Sequence, residues 1–466
     1  MMAEYSSLLY SDVLNKHRNN EVYDLLDEKV NQYLTTFNYK VIVLDDDPTG
    51  TQTVNSIPVY THYDDPSIHD MFMESSRTVF LLTNSRAMSE AQTEALHVEI
   101  GERIEKIARI HERQYLIISR GDSTLRGHYP LELDSLYKAR PIFQGEIIIP
   151  AFFEGGRYTY NDVHYLKQGE TLVPVSETEF AADKTFGFTH AHLPSYLKEK
   201  NKQPIPDHDI ISISIEELRM KKIQQIKEKL SPGDSYKRII VNALNENDLK
   251  IFLIAFFESE SHHYLFRTAA SFVKVISGVM AKSDVRPSLH DGKGLILVGS
   301  HVDVTTRQLR YLLNQENGIQ TVELKVDRLK NRESIRHELK RIVDFYEKSE
   351  GDVCIYTTRE YVKPDDEEQS DLAFSVSISE TLVEIVKEIV TPPSFILSKG
   401  GITSSDIAVK SLCIRRALVL GQIEKGVSVW EPDSESKFPQ TPYIVFPGNV
   451  GEEETLYRVY KKVKDT

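Results

Sequence analysis

Short apolar runs that end in polar or glycine-rich loops recur along this chain of 466 residues, and this repetition constrains the fold most. In the first half the runs lie at 41–44, 79–82, 115–118 and within 145–158, and helical spans separate most of them. The pattern predicts a doubly wound α/β sheet whose parallel strands are buried on both faces. Ligands bind such sheets outside the carboxyl ends of the strands, so we expect the polar loops to converge at one edge.

The most acidic of these loops belongs to residues 41–54, VIVLDDDPTGTQTV. Asp45, Asp46 and Asp47 follow the apolar run, and a Pro-Thr-Gly sequence then has the residue types of a turn. Three adjacent carboxylates repel one another, so they need hydrogen bonds, a cation or a polyol to compensate; a solvated acidic turn is the alternative. The neighbouring loops bring four more charged residues to the same predicted edge: Arg120, Asp122, Arg126 and Arg157.

Three strand-to-helix junctions in the second half carry small residues: Gly299-Ser300, GGITS at 400–404 and GNVG at 448–451. Glycines let backbone N–H groups approach phosphate oxygens, and the helix that follows favours negative charge. Neither GxxxxGK[ST] nor GxGxxG occurs. An acidic, arginine-lined site combined with glycine turns suggests phosphoryl transfer, in which an Asp takes the proton of the acceptor hydroxyl, an Arg binds a carboxylate and Mg²⁺ offsets phosphate charge.

Composition excludes several classes of protein. The formal net charge of −14 argues against a general nucleic-acid binder, because the phosphate backbone would be repelled. No window approaches the roughly 18 apolar residues of a membrane helix, and the N-terminus lacks the apolar core of a signal peptide. Cys354 and Cys413 lie far apart and form no metal or disulfide motif. We therefore expect a cytoplasmic protein without membrane or nucleic-acid partners.

In this order, the motifs resemble those of the four-carbon acid sugar kinase family, formerly a domain of unknown function. The likeness extends from residue 40 to 463 and rests on VIVLDDDPTGTQTV, RGDSTLRGH, FRTAASFV, GSHVDVTTRQL, LSKGGITSSDIAVKSL and VFPGNVGEEETL. It implies two α/β domains, each with a mostly parallel sheet flanked by helices, and an active site in the cleft between them. It also implies ATP-dependent phosphorylation of the terminal hydroxyl of threonate, erythronate or 3-oxo-tetronate.

The resemblance also implies site residues. The family's DDxTG turn falls on residues 46–50, while Asp45 and Pro48 depart from its usual residues, so we expect this chain's own specificity to depend on them. The implied catalytic residues are Asp46, Asp47 and Asp122, with the identity of the base left open. Implied substrate contacts are Asp45, Thr49, Gly50, Arg120, Ser123, Arg126 and Gly127. Implied ATP contacts are Ser300, Gly400, Gly401, Ile402, Thr403, Gly448 and Asn449, with Mg²⁺ accompanying the nucleotide.

The predicted organisation has four parts. They are an N-terminal helical extension over 1–39, a sugar-acid-binding domain over 40–280, a linker over 281–293 and an ATP-binding domain over 294–466. Residues 159–209 show little periodicity and predict an irregular insertion or lid. Residues 266–278 predict a helix that closes the first domain.

Two other functions stay open at this point, and so does a homodimer. A sugar-acid-binding or sensor protein would keep the fold without turnover, and a kinase for a different hydroxy acid would keep the chemistry. A dehydrogenase is disfavoured because GxGxxG is absent.

Overall fold

The computed structural model describes residues 5–17, 25–279, 282–315, 318–329, 331–359 and 371–465. Its strands are β1 (Leu8–Leu9), β2 (Lys40–Asp45), β3 (Ile57–Tyr60), β4 (Thr78–Leu82), β5 (Tyr115–Arg120), β6 (Gly145–Ile149), β7 (Arg157–Tyr160), β8 (Val163–Gln168), β9 (Thr171–Pro174), β10 (Ile210–Ile213), β11 (Lys237–Val241), β12 (Tyr264–Thr268), β13 (Leu295–Val298), β14 (Gln320–Leu324), β15 (Val353–Thr357), β16 (Ile396–Lys399), β17 (Arg416–Glu424), β18 (Val427–Pro432) and β19 (Tyr443–Phe446).

The helices are α1 (Tyr10–Lys16), α2 (Leu26–Thr36), α3 (Asp65–Met73), α4 (Glu90–Ile110), α5 (Leu131–Ala139), α6 (Leu193–Lys200), α7 (Ile215–Arg219), α8 (Ile223–Leu230), α9 (Glu246–Phe257), α10 (Ala270–Ser277), α11 (Asp303–Leu313), α12 (Arg332–Lys348), α13 (Asp371–Glu388), α14 (Gly401–Asp406) and α15 (Thr455–Lys464). A 3₁₀ turn covers Pro48–Thr53.

The chain forms two compact units. The first comprises Met1–Asp46 and Tyr63–Met280, and the second comprises Asp47–His62 and Ala281–Thr466. The sequence interpretation treated 40–280 as one continuous domain, whereas residues 47–62 pack within the second unit. They do so because β3 pairs antiparallel with β17 and because the buried Trp430 donates a hydrogen bond of 2.9 Å to Thr51 Oγ1.

The first unit contains a parallel seven-stranded sheet in the order β10-β11-β6-β12-β5-β2-β4. Every residue of β2, KVIVLD, is buried, as expected for a strand covered on both faces. The prediction of an α/β fold with mostly parallel sheets flanked by helices is therefore confirmed. β2 lies between β4 and β5, which follow it in sequence, so the chain order changes direction there and ligand sites are expected at such points.

The predicted helix over 266–278 is wrong in its first part. Residues Tyr264–Thr268 form β12, which is buried throughout and pairs with both β5 and β6. The helix α10 begins only at Ala270. A short apolar run cannot be assigned to strand or helix by periodicity alone, and here pairing on both sides selects the strand.

The predicted irregular insertion over 159–209 is also wrong, because much of this segment is regular. β7, β8 and β9 form an antiparallel sheet that β1 extends, and α6 follows. Asn161 and Asp162, between β7 and β8, have φ of 49° and 61°, the conformation of a tight hairpin turn that suits these residue types. In the N-terminal extension, α1 and α2 agree with the predicted helices.

The second unit contains a mixed sheet in the order β3-β17-β18-β19-β16-β13-β15-β14. Pairing is antiparallel from β3 to β19 and parallel from β19 to β14. Since β19, β16 and β13 are parallel neighbours, their carboxyl ends lie side by side. The three predicted glycine turns follow these three strands.

Candidate functional site

Asp46 follows β2 and lies in an ion pair with an arginine that the sequence analysis did not assign to the site. Arg86, in the loop after β4, donates to Asp46 through Nη2 at 2.6 Å and through Nε at 3.1 Å. Asp46 is almost completely buried, while a quarter of the Arg86 side chain is exposed. Burial raises the pKa of the Asp46 carboxyl group above its ordinary value, although the charge of Arg86 acts in the opposite direction. A carboxylate with a raised pKa is a stronger proton acceptor.

Asp45, the last residue of β2, has a different partner. It faces Arg120, the last residue of β5, in register, and Arg120 Nη1 lies 3.3 Å from Asp45 Oδ1 and 4.0 Å from Asp46 Oδ1. Both side chains are buried. The backbone carbonyl of Asp45 accepts hydrogen bonds from the N–H and hydroxyl of Thr83. The predicted convergence of these two residues at one sheet edge is thus found in the structure.

A second buried ion pair lies under this edge. Arg267 is a residue of β12. Its Nη1 donates to Glu132 Oε2 at 2.5 Å and to Ser119 Oγ at 2.8 Å. Burial alone would raise the pKa of Glu132, but Arg267 and His97 outweigh it, so the pKa of Glu132 is lowered to about 2. Arg267 also interacts electrostatically with Asp46.

Two glycines make room for Arg267. A Cβ at Gly121 would clash with the Arg267 guanidinium, and one at Gly127 would lie 3.0 Å from its Nη2 and 3.4 Å from Asp46 Oδ2. Gly127 also has a φ of 118°, which L side chains rarely adopt. Gly127 was predicted as a substrate contact, and the structure places it against Asp46.

The loop after β5 contains the other residues predicted for substrate binding. Asp122 Oδ2 accepts hydrogen bonds from Thr124 N at 3.2 Å, from the Thr124 hydroxyl and from Arg126 Nε at 3.0 Å. Burial would raise the pKa of Asp122, but Arg86 and Arg126 hold it well below its usual range. Asp122 is therefore ionised and a weak proton acceptor. Ser123 is buried, and its carbonyl is 2.8 Å from the Nε2 of His164.

Asp47 belongs to the second unit, where it caps the start of the 3₁₀ turn. Its Oδ1 accepts hydrogen bonds from the N–H of Thr49 at 2.8 Å and from the hydroxyl of Thr49 at 2.6 Å. The N–H of Gly50 donates to the Asp47 carbonyl at 3.0 Å. A Cβ placed on Gly401 would lie 3.3 Å from Asp47 Oδ2, so this carboxylate packs on the glycine turn after β16.

Two glycine turns of the second unit, after β13 and after β16, line a cavity of about 430 Å³. A Cβ on Gly299 would clash with Thr403, and a Cβ on Gly448 would lie 2.6 Å from Ser300 Oγ, so close packing requires glycine at both positions. Gly448 lies beside Ser300, whereas Asn449 in the same loop is exposed. The side chain of Ile402 lies outside the described residues. The cavity is lined by Gly299, Ser300, His301, Val302, Ile378, Ser379, Leu382, Gly400, Gly401 and Thr403.

This cavity fits a nucleotide. Its size lies in the range of small-molecule sites, which is about 300–1,000 Å³. Among the described residues, its polar lining consists of glycine backbone, hydroxyl and imidazole groups without a carboxylate, which suits phosphate oxygens. Val302, Ile378 and Leu382 supply an apolar portion that suits a flat base.

A buried lysine that the sequence analysis did not assign joins two of the glycine turns. Lys399, at the end of β16, donates through Nζ to the carbonyl of Pro447 at 2.6 Å and to that of Gly448 at 3.3 Å. Its Nζ also lies 3.7 Å from the centre of the Phe446 ring. Burial lowers the pKa of Lys399 to about 6. This side chain therefore fixes the loop after β19 against the turn after β16.

The residues at the glycine turns are compatible with Mg²⁺ bound together with a nucleotide. Mg²⁺ is usually held by one or two carboxylates, phosphate oxygens and water. The carboxylate of Asp47 packs on Gly401, in the glycine turn after β16. Within the described ranges, no group of three metal-ligating side chains occurs, and no helix is long and apolar enough to span a membrane.

Comparisons with known proteins assign a different kind of ligand to each half of the chain. A family model described as a sugar-binding N-terminal domain matches residues 41–276, and one described as a nucleotide-binding C-terminal domain matches residues 295–456. The chain is thus a two-domain protein with a sugar-binding and a nucleotide-binding domain. It belongs to the four-carbon acid sugar kinase family, which its motifs resemble.

Solved structures show the same fold at low sequence identity. A Haemophilus influenzae protein, from a family first described as a domain of unknown function, is 17% identical, with a TM-score of 0.61; the match covers 90% of this chain and 99% of that one. A proposed tRNA synthase of Salmonella typhimurium LT2 is 13% identical, with a TM-score of 0.65, and covers 90% and 98% of the two chains. A comparison with curated protein sequences gave no match.

Proposed function

We propose that this protein is an ATP-dependent kinase that phosphorylates a terminal hydroxyl of a small sugar acid. The observation that carries the proposal is the environment of two consecutive aspartates. Asp46 is held by Arg86 in the sugar-binding unit, and Asp47 packs on Gly401 in the nucleotide-binding unit. The turn that the family uses for its substrate thus supplies Asp46 to the sugar-binding unit and Asp47 to the nucleotide-binding unit.

On the acceptor side, Asp46 takes the proton of the substrate hydroxyl. Its buried environment raises its pKa, whereas the pKa of Asp122 is depressed, so Asp46 is the better base of the two. Arg86 fixes the orientation of the Asp46 carboxylate through two hydrogen bonds. Arg126, held by Asp122, offers its remaining N–H groups to the carboxylate of the acid.

On the donor side, the hydroxyl of Ser300 and the backbone N–H groups of Gly401 to Thr403, at the start of α14, bind the phosphates of ATP, while the N–H of Gly400 donates to the carbonyl of Phe446. Lys399 positions the loop that contains Gly448 beside them. Mg²⁺, when bound, offsets the phosphate charge, and Asp47 is the carboxylate placed to share in holding it.

Threonate, erythronate and 3-oxo-tetronate are the first substrates to consider, because the family resemblance points to four-carbon acids. The two departures from the family pattern differ in what they contact. Asp45 is buried against Arg120 and acts by positioning that arginine, while Pro48 begins the 3₁₀ turn in the second unit. A cleft location of the active site, a homodimer and a cytoplasmic location stay predictions.

ADP release, measured with a panel of aldonates and 2- or 3-oxo acids, tests the proposal. We expect turnover that requires ATP, Mg²⁺ and one acid of the panel, with a phosphorylated product detected by mass spectrometry. Acid binding without product would instead favour a binding or sensor protein. Absence of both turnover and ATP binding by calorimetry would refute the kinase assignment.

A further inference from the structure

Two arginines and two phenylalanines alternate in the first unit, next to the loop after β5. The guanidinium of Arg126 lies over the ring of Phe180, with its Cζ 4.9 Å from the ring centre. Arg157 lies 5.9 Å from the same ring and 5.9 Å from the ring of Phe152. The order is therefore Arg126, Phe180, Arg157 and Phe152, which we call the arginine ladder.

Arg157 is fixed in place by hydrogen bonds to backbone groups. Its N–H and carbonyl are both hydrogen-bonded to Phe152, at 2.8 Å and 3.1 Å, and its Nη1 donates to the carbonyl of Gly155. No ion pair joins it to a carboxylate of the described residues, and its buried Nε has no hydrogen-bond partner there. A half-buried cation with an unsatisfied N–H is costly unless a ligand completes it.

The carboxylates near Arg157 are engaged elsewhere or act on it only electrostatically. Asp122 is bound to Arg126 at 3.0 Å, and the contact of Asp183 with Arg126 is longer, at 3.5 Å. Asp183 in turn accepts hydrogen bonds from the N–H groups of Thr185 and Phe186. Burial lowers the pKa of Arg157, Asp122 and Glu179 act in the opposite direction, and Arg126 lowers it further. A bound carboxylate would offset the cost of burying Arg157 and its repulsion by Arg126.

We propose that the arginine ladder is the subsite for the carboxylate of the acid substrate, with Arg157 as its principal ligand and Phe180 as its wall. This inference rests on the proposed function; it gives a role to Arg157, which the sequence analysis placed at this edge without one, and adds Phe180. Planar guanidinium groups bind carboxylates through paired hydrogen bonds, and an aromatic ring beside them holds their planes in place. Arg126 contributes the N–H groups that Asp122 leaves unused.

The subsite also fixes the orientation of the substrate. Asp122 interacts electrostatically with Arg86, which holds Asp46, and with Arg157. Asp122 thus interacts electrostatically both with the arginine ladder and with the arginine that holds the proposed base. We expect an acid whose carboxylate binds Arg157 to present its far end, and not its carboxyl group, to Asp46.

Calorimetric titration without ATP tests this subsite independently of turnover. The probes are sodium aldonates of four to six carbons, each paired with the alditol of the same carbon skeleton. We expect the wild type to bind one acid more tightly than its alditol. Arg157→Gln should weaken acid binding by about tenfold to a hundredfold, the effect of losing a charge-assisted hydrogen bond, and leave alditol binding unchanged. Arg157→Lys should restore part of the loss.

Two matched variants separate this role from general effects. Arg140→Gln, after the end of α5, removes the same charge, a similar ring contact with Tyr115 and, in addition, an ion pair with Glu105. This variant should bind the acid as the wild type does. Phe180→Leu should weaken acid binding less than Arg157→Gln.

The outcomes also distinguish the inference from the proposed function. Turnover with an unchanged KM for the acid in Arg157→Gln would overturn the subsite and leave the kinase intact. Acid binding that is lost in Arg157→Gln, in a protein that never forms product, would support the subsite and refute the kinase. Equal binding of acid and alditol by the wild type would overturn the subsite.

Discussion

Three consecutive aspartates follow one strand, yet each has a different environment. Asp45 is buried against Arg120, Asp46 is bound by Arg86, and Asp47 hydrogen-bonds to Thr49 in the other unit. Mutual repulsion, which the sequence suggested, is thus relieved by a separate partner for each carboxylate. Asp46 combines burial, a raised pKa and an arginine that remains partly exposed.

Replacement of Asp46 by Asn should reduce kcat by about a hundredfold to ten-thousandfold, because the amide cannot accept the hydroxyl proton. The variant keeps the shape of the side chain and one acceptor for Arg86, so ATP binding and thermal stability should stay near those of the wild type. Steady-state kinetics, calorimetry with an ATP analogue and a melting curve measure the three quantities. A variant with most of its kcat would transfer the role of base to Asp47 or Asp122.

Glu132→Gln should destabilise the first unit, because it leaves the buried charge of Arg267 unpaired. The expected loss at pH 7 is about 3–5 kcal/mol, measured by urea unfolding. The lowered pKa gives the sign of the pH effect: the contribution of Glu132 is complete above its ordinary value near 4.5 and is lost as the pH falls towards about 2. The stability difference between wild type and variant should therefore shrink over this range. A difference independent of pH would contradict the ionised pair.

At the scale of elements, the loops at the carboxyl ends of neighbouring parallel strands account for both sites. β2 and β5 bring the aspartates and arginines together, and β13, β16 and β19 bring the glycine turns together. Each of these loops by itself is a common turn. Adjacency in the sheet turns several weak sequence signals into one site.

Gly448→Ala should raise the KM for ATP by about tenfold. The added Cβ would lie 2.6 Å from Ser300 Oγ, so Ser300 or the loop that contains residue 448 would have to move. Acid affinity, measured by calorimetry, should not change. Gly233→Ala is a suitable control, since its Cβ would meet only the flexible end of Lys237, in the other unit. An unchanged KM for ATP in Gly448→Ala would place the phosphates elsewhere.

The sequence was sufficient for what depends on local pattern, and insufficient where long-range pairing decides. The strands, the glycine turns and the convergence of Asp45 with Arg120 follow from apolar runs and parallel topology. Arg267 was missed because FRTAASFV was interpreted as a helix, so its position near the carboxyl end of β12 was not recognised. Arg86 had a usable signal, since it follows a strand beside β2. The hairpin at Asn161-Asp162 also had one, in its turn residues.

On the scale of the whole molecule, Trp430 offers a probe of one unit alone. It is the only tryptophan, is fully buried and lies in the nucleotide-binding unit. ADP should raise the midpoint of thermal unfolding detected by tryptophan fluorescence by several degrees, since ligand at about 100 times its Kd adds about 2.7 kcal/mol. NAD at the same concentration should give no shift. A larger shift with NAD would favour a dehydrogenase.

The placement of residues 47–62 has a consequence for anyone who wishes to prepare the two units separately. The chain passes between them at 46/47, 62/63 and 280/281, so no single cut yields both units whole. A fragment that ends at residue 280 retains IPVY of β3 without β17, its antiparallel partner. An apolar strand whose edge is exposed in this way promotes aggregation. A soluble sugar-binding fragment therefore requires excision of 47–62 and a short replacement linker.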